Sequence, residues 1–270
     1  MRKLLALYLI VCALLSWQFL AIDIPHLKNA LVSPAQAACV DIGLALMGVS
    51  HIHCSGPSFV QGKLGADLGN SAANSTSATF TASVGSGHSV VGAVTWFLGS
   101  SSVGITDDKS NTYTIVDTPF LAGGCNLATF YSLNLTNGPS IITANITFPT
   151  SATATFWRIV IDEFSGTGAS FDTHAAQSQT SISGTNAMTS GSATTSSNGE
   201  LIYGAGADAC NAPATITPGT GFTATESGTS GDNQPIYGEY LIQPSAGATA
   251  GTFTPAGTVD AMTGVMTFVP

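Results

Sequence analysis

The chain has 270 residues, of which 8% are charged, with 6 Lys+Arg against 15 Asp+Glu and a formal net charge of -9. That balance excludes a cationic face for displacing counterions from phosphates, and the Glu/Lys-rich heptads of a long coiled coil are absent. A hydrophobic share of 44% supplies enough apolar surface to fold, whereas disordered segments are apolar-poor and highly charged.

Met1-Arg2-Lys3 opens the chain with positive charge, and Leu4 to Ile22 is apolar apart from Ser16 and Gln18. Ala35-Gln36-Ala37 then matches the A-x-A cleavage rule. Residues 1–37 read as a signal peptide cut after Ala37. The long gap between apolar run and cleavage site leaves an uncleaved anchor as the alternative; acylation at Cys39 fits less well, because Gln36 stands where a lipoprotein signal has Leu. Cleavage removes Arg2, Lys3, Lys28 and Asp23, so Lys63, Lys109 and Arg158 are the basic residues of an exported portion still more acidic than the whole. Acidity of this degree opposes binding to nucleic acid or anionic lipid.

Cys39, Cys54, Cys125 and Cys210 lie beyond that site, an even number suited to an oxidising compartment. Four cysteines allow three pairings. We expect Cys39 with Cys54, tying down a lead-in segment over 38–56, and Cys125 with Cys210, stapling two distant loops; a closed loop of this kind contributes about 3–5 kcal/mol.

Beyond residue 55 the chain reads as strand after strand, rich in Thr, Val, Ile, Phe and Tyr and closed by Gly, Asn, Asp or Pro. In chain order the predicted strands are 77–83, 89–98, 112–117, 128–135, 140–148, 153–164, 171–180, 187–195, 200–207, 222–226, 236–243, 250–253 and 261–268. Alternation marks half-buried antiparallel strands. In residues 140–148, Ile142, Ala144, Ile146 and Phe148 share one face, and Thr143, Asn145 and Thr147 the other. Residues 155–161 are apolar on both faces, as in a central strand covered on each side, and Arg158 within them needs a partner or an exit to solvent. Short strands at this spacing, without helices between them, predict an all-β fold, an antiparallel β-sandwich of jelly-roll type in one domain over 57–270. No convincing internal repeat is visible. The Ser/Thr/Gly-rich stretch 178–199 fits either long polar strands or a loop.

Five short stations fall in order along this region: Val94-Thr95-Trp96, Ile105 to Thr114 around Asn111-Thr112-Tyr113, Phe130 to Leu135, Glu163-Phe164-Ser165-Gly166, and Gly219 to Thr223. Together they resemble a family of secreted β-sandwich domains found in bacterial and phage surface proteins. The resemblance covers about residues 57–270 and implies an exported module with no assigned reaction. Ser110 departs from it, standing where that family has Gly.

Candidate sites are few. His51 and His53 share a face of an extended segment and form a two-imidazole candidate for zinc or copper. Asp107, Asp108 and Asn111 form a loop candidate for binding, with calcium as the cation such oxygens suit; the simpler alternative is that Asp bonds its own turn. Asp162 or Glu163 is a structural partner for Arg158, since buried charge must be paired. Trp96, Trp157, Tyr113, Tyr131, Tyr203, Tyr237 and Tyr240 either line a sugar platform or fill the core. No nucleophile elbow or zinc-protease motif accompanies His88 or His174, so no catalytic residue is assigned. These features point to a non-catalytic module for binding or adhesion at the cell surface or in the periplasm. Its partner would be a glycan or a surface protein, met by loops around 107–111 and 208–233 at one end of the sandwich. A structural subunit of an appendage or phage-like particle is the alternative, and a secreted hydrolase ranks third.

Overall fold

The computed structural model describes residues 56–69, 72–97, 102–119, 124–146, 156–168, 170–208, 215–227 and 235–270. Among them there are strands and turns and no helix, as β-branched and aromatic residues punctuated by glycine dictate. His51, His53, Cys39, Cys54 and Cys210, and the whole of residues 1–37, lie outside the described residues.

The first half holds β1 (Ser58–Leu64), β2 (Ser75–Thr79), β3 (His88–Phe97), β4 (Val103–Asp107), β5 (Thr114–Ile115), β6 (Cys125–Leu135), β7 (Ile141–Ile146) and β8 (Arg158–Ser165). They form a five-stranded sheet in the order β1-β8-β3-β6-β5 and a three-stranded sheet in the order β2-β7-β4. The second half holds β9 (Phe171–Ile182), β10 (Met188–Thr189), β11 (Ala193–Thr194), β12 (Glu200–Asp208), β13 (Ile216–Pro218), β14 (Thr223–Ser227), β15 (Ile236–Gln243), β16 (Ala248–Thr249), β17 (Thr252–Pro255) and β18 (Val259–Phe268). Its sheets run β14-β15-β12-β18-β9, β10-β17-β13 and β11-β16.

Read from the opposite edge, the second large sheet repeats the first: β9, β18, β12, β15 and β14 follow the connectivity of β1, β8, β3, β6 and β5. Each half is a jelly roll built from eight strand positions, the outer strands of the second being broken into β10/β11 and β16/β17. Register matches as well as order. Gly92 lies opposite Phe130 and Ile161, and Gly204 lies opposite Glu239 and Val265. By the same alignment Asp162 corresponds to Met266, Phe164 to Phe268 and Phe59 to Phe171.

The two large sheets face each other. Val91, Ala93, Leu127, Val160 and Phe164 of the first half share one buried cluster with Leu201, Tyr203, Ala205, Met262, Met266 and Phe268 of the second. On its outer face the first large sheet packs Val94, Trp96, Phe130, Ile159 and Ile161 against Ala78, Ile105, Ile142 and Ala144 of the small sheet. The second large sheet is covered in the same way, with Tyr237 and Ala261 meeting Met188, Ile216 and Phe253, and Ile202 and Val265 meeting Ala193. Four β-layers result, and the inner strands of the central sheets, β3, β8, β12 and β18, are buried on each face. This is why β8 reads as apolar on both sides.

The all-β sandwich architecture and most strands follow the pattern expected from the sequence, with four additions: β1, β4, β13 and β16 are strands. The expected strand 187–195 is two, interrupted where Gly191 takes φ +79°. The stretch 178–199 is ordered as the end of β9, then β10, β11 and turns. The described residues fall within one compact unit.

Candidate functional site

The loop between β4 and β5 is held by its own carboxylates. Asp107 Oδ1 accepts from the backbone N–H of Lys109 (2.9 Å) and Asn111 (3.0 Å), and its Oδ2 accepts from Asn111 Nδ2 (2.8 Å) and the Tyr113 hydroxyl (2.9 Å). Asp108 Oδ1 accepts from Ser140 N (2.8 Å) and Ile141 N (3.1 Å), tying the loop to the start of β7. Backbone donors and Lys109 lower the Asp108 pKa against the opposing effect of partial burial. Asn111 Nδ2 also donates to the carbonyl of Asn137. These three residues therefore behave as a turn staple, with most of their acceptor capacity used internally. Ser110 adopts φ +63° in this turn, a left-handed conformation that glycine takes more readily.

Cys125 opens β6 and is buried. Of the aromatic candidates, Trp96, Trp157, Tyr203 and Tyr237 are buried and fill the cores, so they offer no platform. Tyr131 and Tyr240 are half-buried and stack on Phe171 and Phe59. Arg158 is not met by the carboxylates expected for it: its Nε donates to the carbonyl of Gly65 (3.3 Å), and Asp162 and Glu163 are bound elsewhere.

Asp162 projects from β8 into the seam between the two large sheets and is fully buried. Its Oδ2 accepts from the Tyr203 hydroxyl (2.7 Å) of β12 and from Thr225 Oγ1 (2.8 Å) of β14, while Oδ1 has no hydrogen-bond partner among the described residues. Two glycines make room for it. A Cβ at Gly62 would collide with Asp162 Oδ1 and come within 2.9 Å of Glu226 Cγ; one at Gly238 would collide with Thr225 Oγ1 and lie 3.1 Å from both Asp162 Oδ2 and the Tyr203 hydroxyl. Burial raises the Asp162 pKa to about 7; the Tyr203 and Thr225 hydroxyls oppose the rise and the charge of Glu226 adds to it. The Tyr203 hydroxyl is itself pushed well above its usual range, by burial first and then by Asp162.

On the opposite face of β8, Glu163 accepts from Gln61 Nε2 (2.6 Å) and Gly85 N (2.8 Å), and its Oε1 lies 2.5 Å from His88 Nδ1. A second carboxylate–imidazole pair joins the halves: His174 Nδ1 lies 2.8 Å from Asp117 Oδ2. In both pairs the carboxylate engages Nδ1 and orients the ring. Glu239, facing the small sheet of the second half, accepts from Gly219 N (2.8 Å) and Thr252 N (2.9 Å), and burial raises its pKa to about 8 despite those donors. The sequence marks Asp162 and Glu163 only as charge in an apolar strand; their separate partners depend on the packing of two sheets. No protein family, curated protein or solved structure matches the chain.

Proposed function

We propose that the chain is an exported, non-catalytic recognition module for binding or adhesion at the cell surface or in the periplasm, with carbohydrate as the first ligand class to test. The observation behind this reading is the distribution of connections. Phe97 at the end of β3 pairs with Cys125 at the start of β6, Thr95 pairs with Arg158 at the start of β8, and Val103 pairs with Ile146. Connections 98–102, 116–124 and 147–157 therefore leave one end of the first half. In the second half, Ala207 pairs with Ile236 and Asp208 with Ala261, so 209–215 and 228–235 also share an end. Cys125, Ala207 and Ile236 belong to one cluster, which brings these two ends together.

The strand ends flanking five connections thus gather at one end of a rigid frame, the arrangement by which loops carry recognition. Their residues are mainly Gly, Ser, Ala, Thr and Asn, which supply adaptable hydrogen bonding. The loop 107–111 leaves the other end of the first half, beside 137–141. The same convergence favours a disulfide between Cys125 and Cys210, since β12 ends two residues before Cys210.

The structural-subunit reading has its own support in β9, a 12-residue edge strand that pairs on one side with β18. Such an edge is a template for strand addition. Glycan-array binding with the purified exported portion, repeated after replacing 228–235 with a short Gly-Ser linker, tests the module. Binding that the replacement abolishes supports it. Absence of binding together with concentration-dependent assembly in light scattering favours the subunit.

A further inference from the structure

The correspondence between the two halves provides an internal control for every position on the seam. Asp162 corresponds to Met266, and Gly62, paired with Asp162, corresponds to His174, paired with Met266. Met266 and Val91, the counterpart of Tyr203, both lie in the apolar cluster between the sheets. At the position of the Asp162–Tyr203 pair the other copy therefore carries two apolar side chains, Met266 and Val91, with His174 turned to Asp117 beside them. The fold does not require the polar version.

We propose that Asp162 is a proton-operated latch between the two halves: protonated, it holds the seam closed, and ionised beside Glu226 it loosens the packing of the second half on the first. The groups facing Asp162 are Gly62 from β1, Val91 from β3, Tyr203 from β12, Thr225 and Glu226 from β14, and Gly238 from β15. Among these there is no Lys, Arg or His to compensate a negative charge. The two hydroxyls both donate to Oδ2, which leaves Oδ1 as the atom that carries the proton. Removing that proton creates an unpaired charge in a closed apolar seam, next to a second carboxylate. An isolated ion of this kind is strongly disfavoured away from water, so the seam admits water by opening. Glu239 acts on the same neighbourhood through Tyr203 and titrates in the same sense. The contribution of Asp162 is accordingly read as a difference between wild type and variant.

The test uses the intact exported chain without ligand, so its outcome is independent of the recognition reading. Thermal unfolding and amide hydrogen exchange of β8 and β12 are followed from pH 4 to 9. In the wild type, exchange at the seam, corrected for intrinsic rates, is expected to rise at least tenfold as pH passes through neutrality. Asp162→Asn and Asp162→Met, the latter copying the other half, should flatten that rise. Glu226→Gln should move it to lower pH by a fraction of a unit, because losing the neighbouring negative charge removes repulsion and makes Asp162 easier to ionise. An Asp162→Asn protein that keeps the wild-type profile overturns the proposal. Should the variants fail to fold, carboxyl carbon NMR of the wild type decides: a midpoint for Asp162 near neutrality supports the latch, and one near 4 overturns it.

Discussion

The ring of Phe59 lies parallel to that of Tyr240, with centroids 5.6 Å apart and 14° between planes, and Phe171 stands in the same relation to Tyr131, at 5.1 Å and 9°. Each stack is completed by an edge-on phenylalanine, Phe164 in one and Phe268 in the other. Two rings of each triad come from one half and the tyrosine from the other. This reciprocal exchange is the signature of an isologous interface, here made within a single chain.

Tyr240→Ala and Tyr131→Ala should therefore destabilise the protein to similar extents, about 2–3 kcal/mol each, somewhat below the range for fully buried aromatics because both rings are half-buried. Urea denaturation measures this. A double-mutant cycle of Phe59→Ala with Tyr240→Ala should show coupling of about 0.5–1.5 kcal/mol; additivity would mean that the stack contributes nothing beyond burial.

Stability should be greatest in acid and decline toward alkaline pH. Glu239 has an ordinary value of 4.5 and is raised to about 8 on folding. The folded chain thus holds the proton more tightly than the unfolded one, and stability falls as pH rises from the first value to the second. Each unit between them corresponds to about 1.36 kcal/mol at most. Glu239→Gln should lessen the fall in melting temperature between pH 5 and 8, leaving the part due to Asp162, as measured against the wild type by calorimetry.

Asp107→Ala removes the acceptor for two backbone N–H groups, an amide and the Tyr113 hydroxyl. The loop is partly solvated, so the expected cost is about 2 kcal/mol. Glycan binding, where found, should survive the substitution, because the loop leaves the opposite end of β4 from Val103; loss of binding in a folded variant would return the loop to the recognition surface.

Ser110→Gly should stabilise the chain by about 0.5 kcal/mol, the relief of left-handed strain exceeding the greater unfolded-state freedom of glycine. Ser110→Val should destabilise it, since a β-branched residue is disfavoured at positive φ. Chemical denaturation of the two variants against wild type reads both signs.

The sequence by itself determined the strands and their buried faces: Ile142 and Ala144 face the core as the alternation in residues 140–148 dictates, and apolarity on both sides of β8 marks a strand between two layers. Such patterns are legible because the period of side chains along a strand is two and each strand has an inner face. Short strands with few strong residues, β4 and β13 among them, leave too little pattern to read.

Tertiary structure alone decided what the chain repeats and where its acids point. The two halves share connectivity and register while their aligned residues differ, as Asp162 does from Met266 and His174 from Gly62, because a jelly roll constrains burial and pairing more than identity. Whether Asp162 meets Arg158 in its own strand or Tyr203 in another is fixed by which sheet covers that face. That is a long-range packing choice, and no local spacing encodes it.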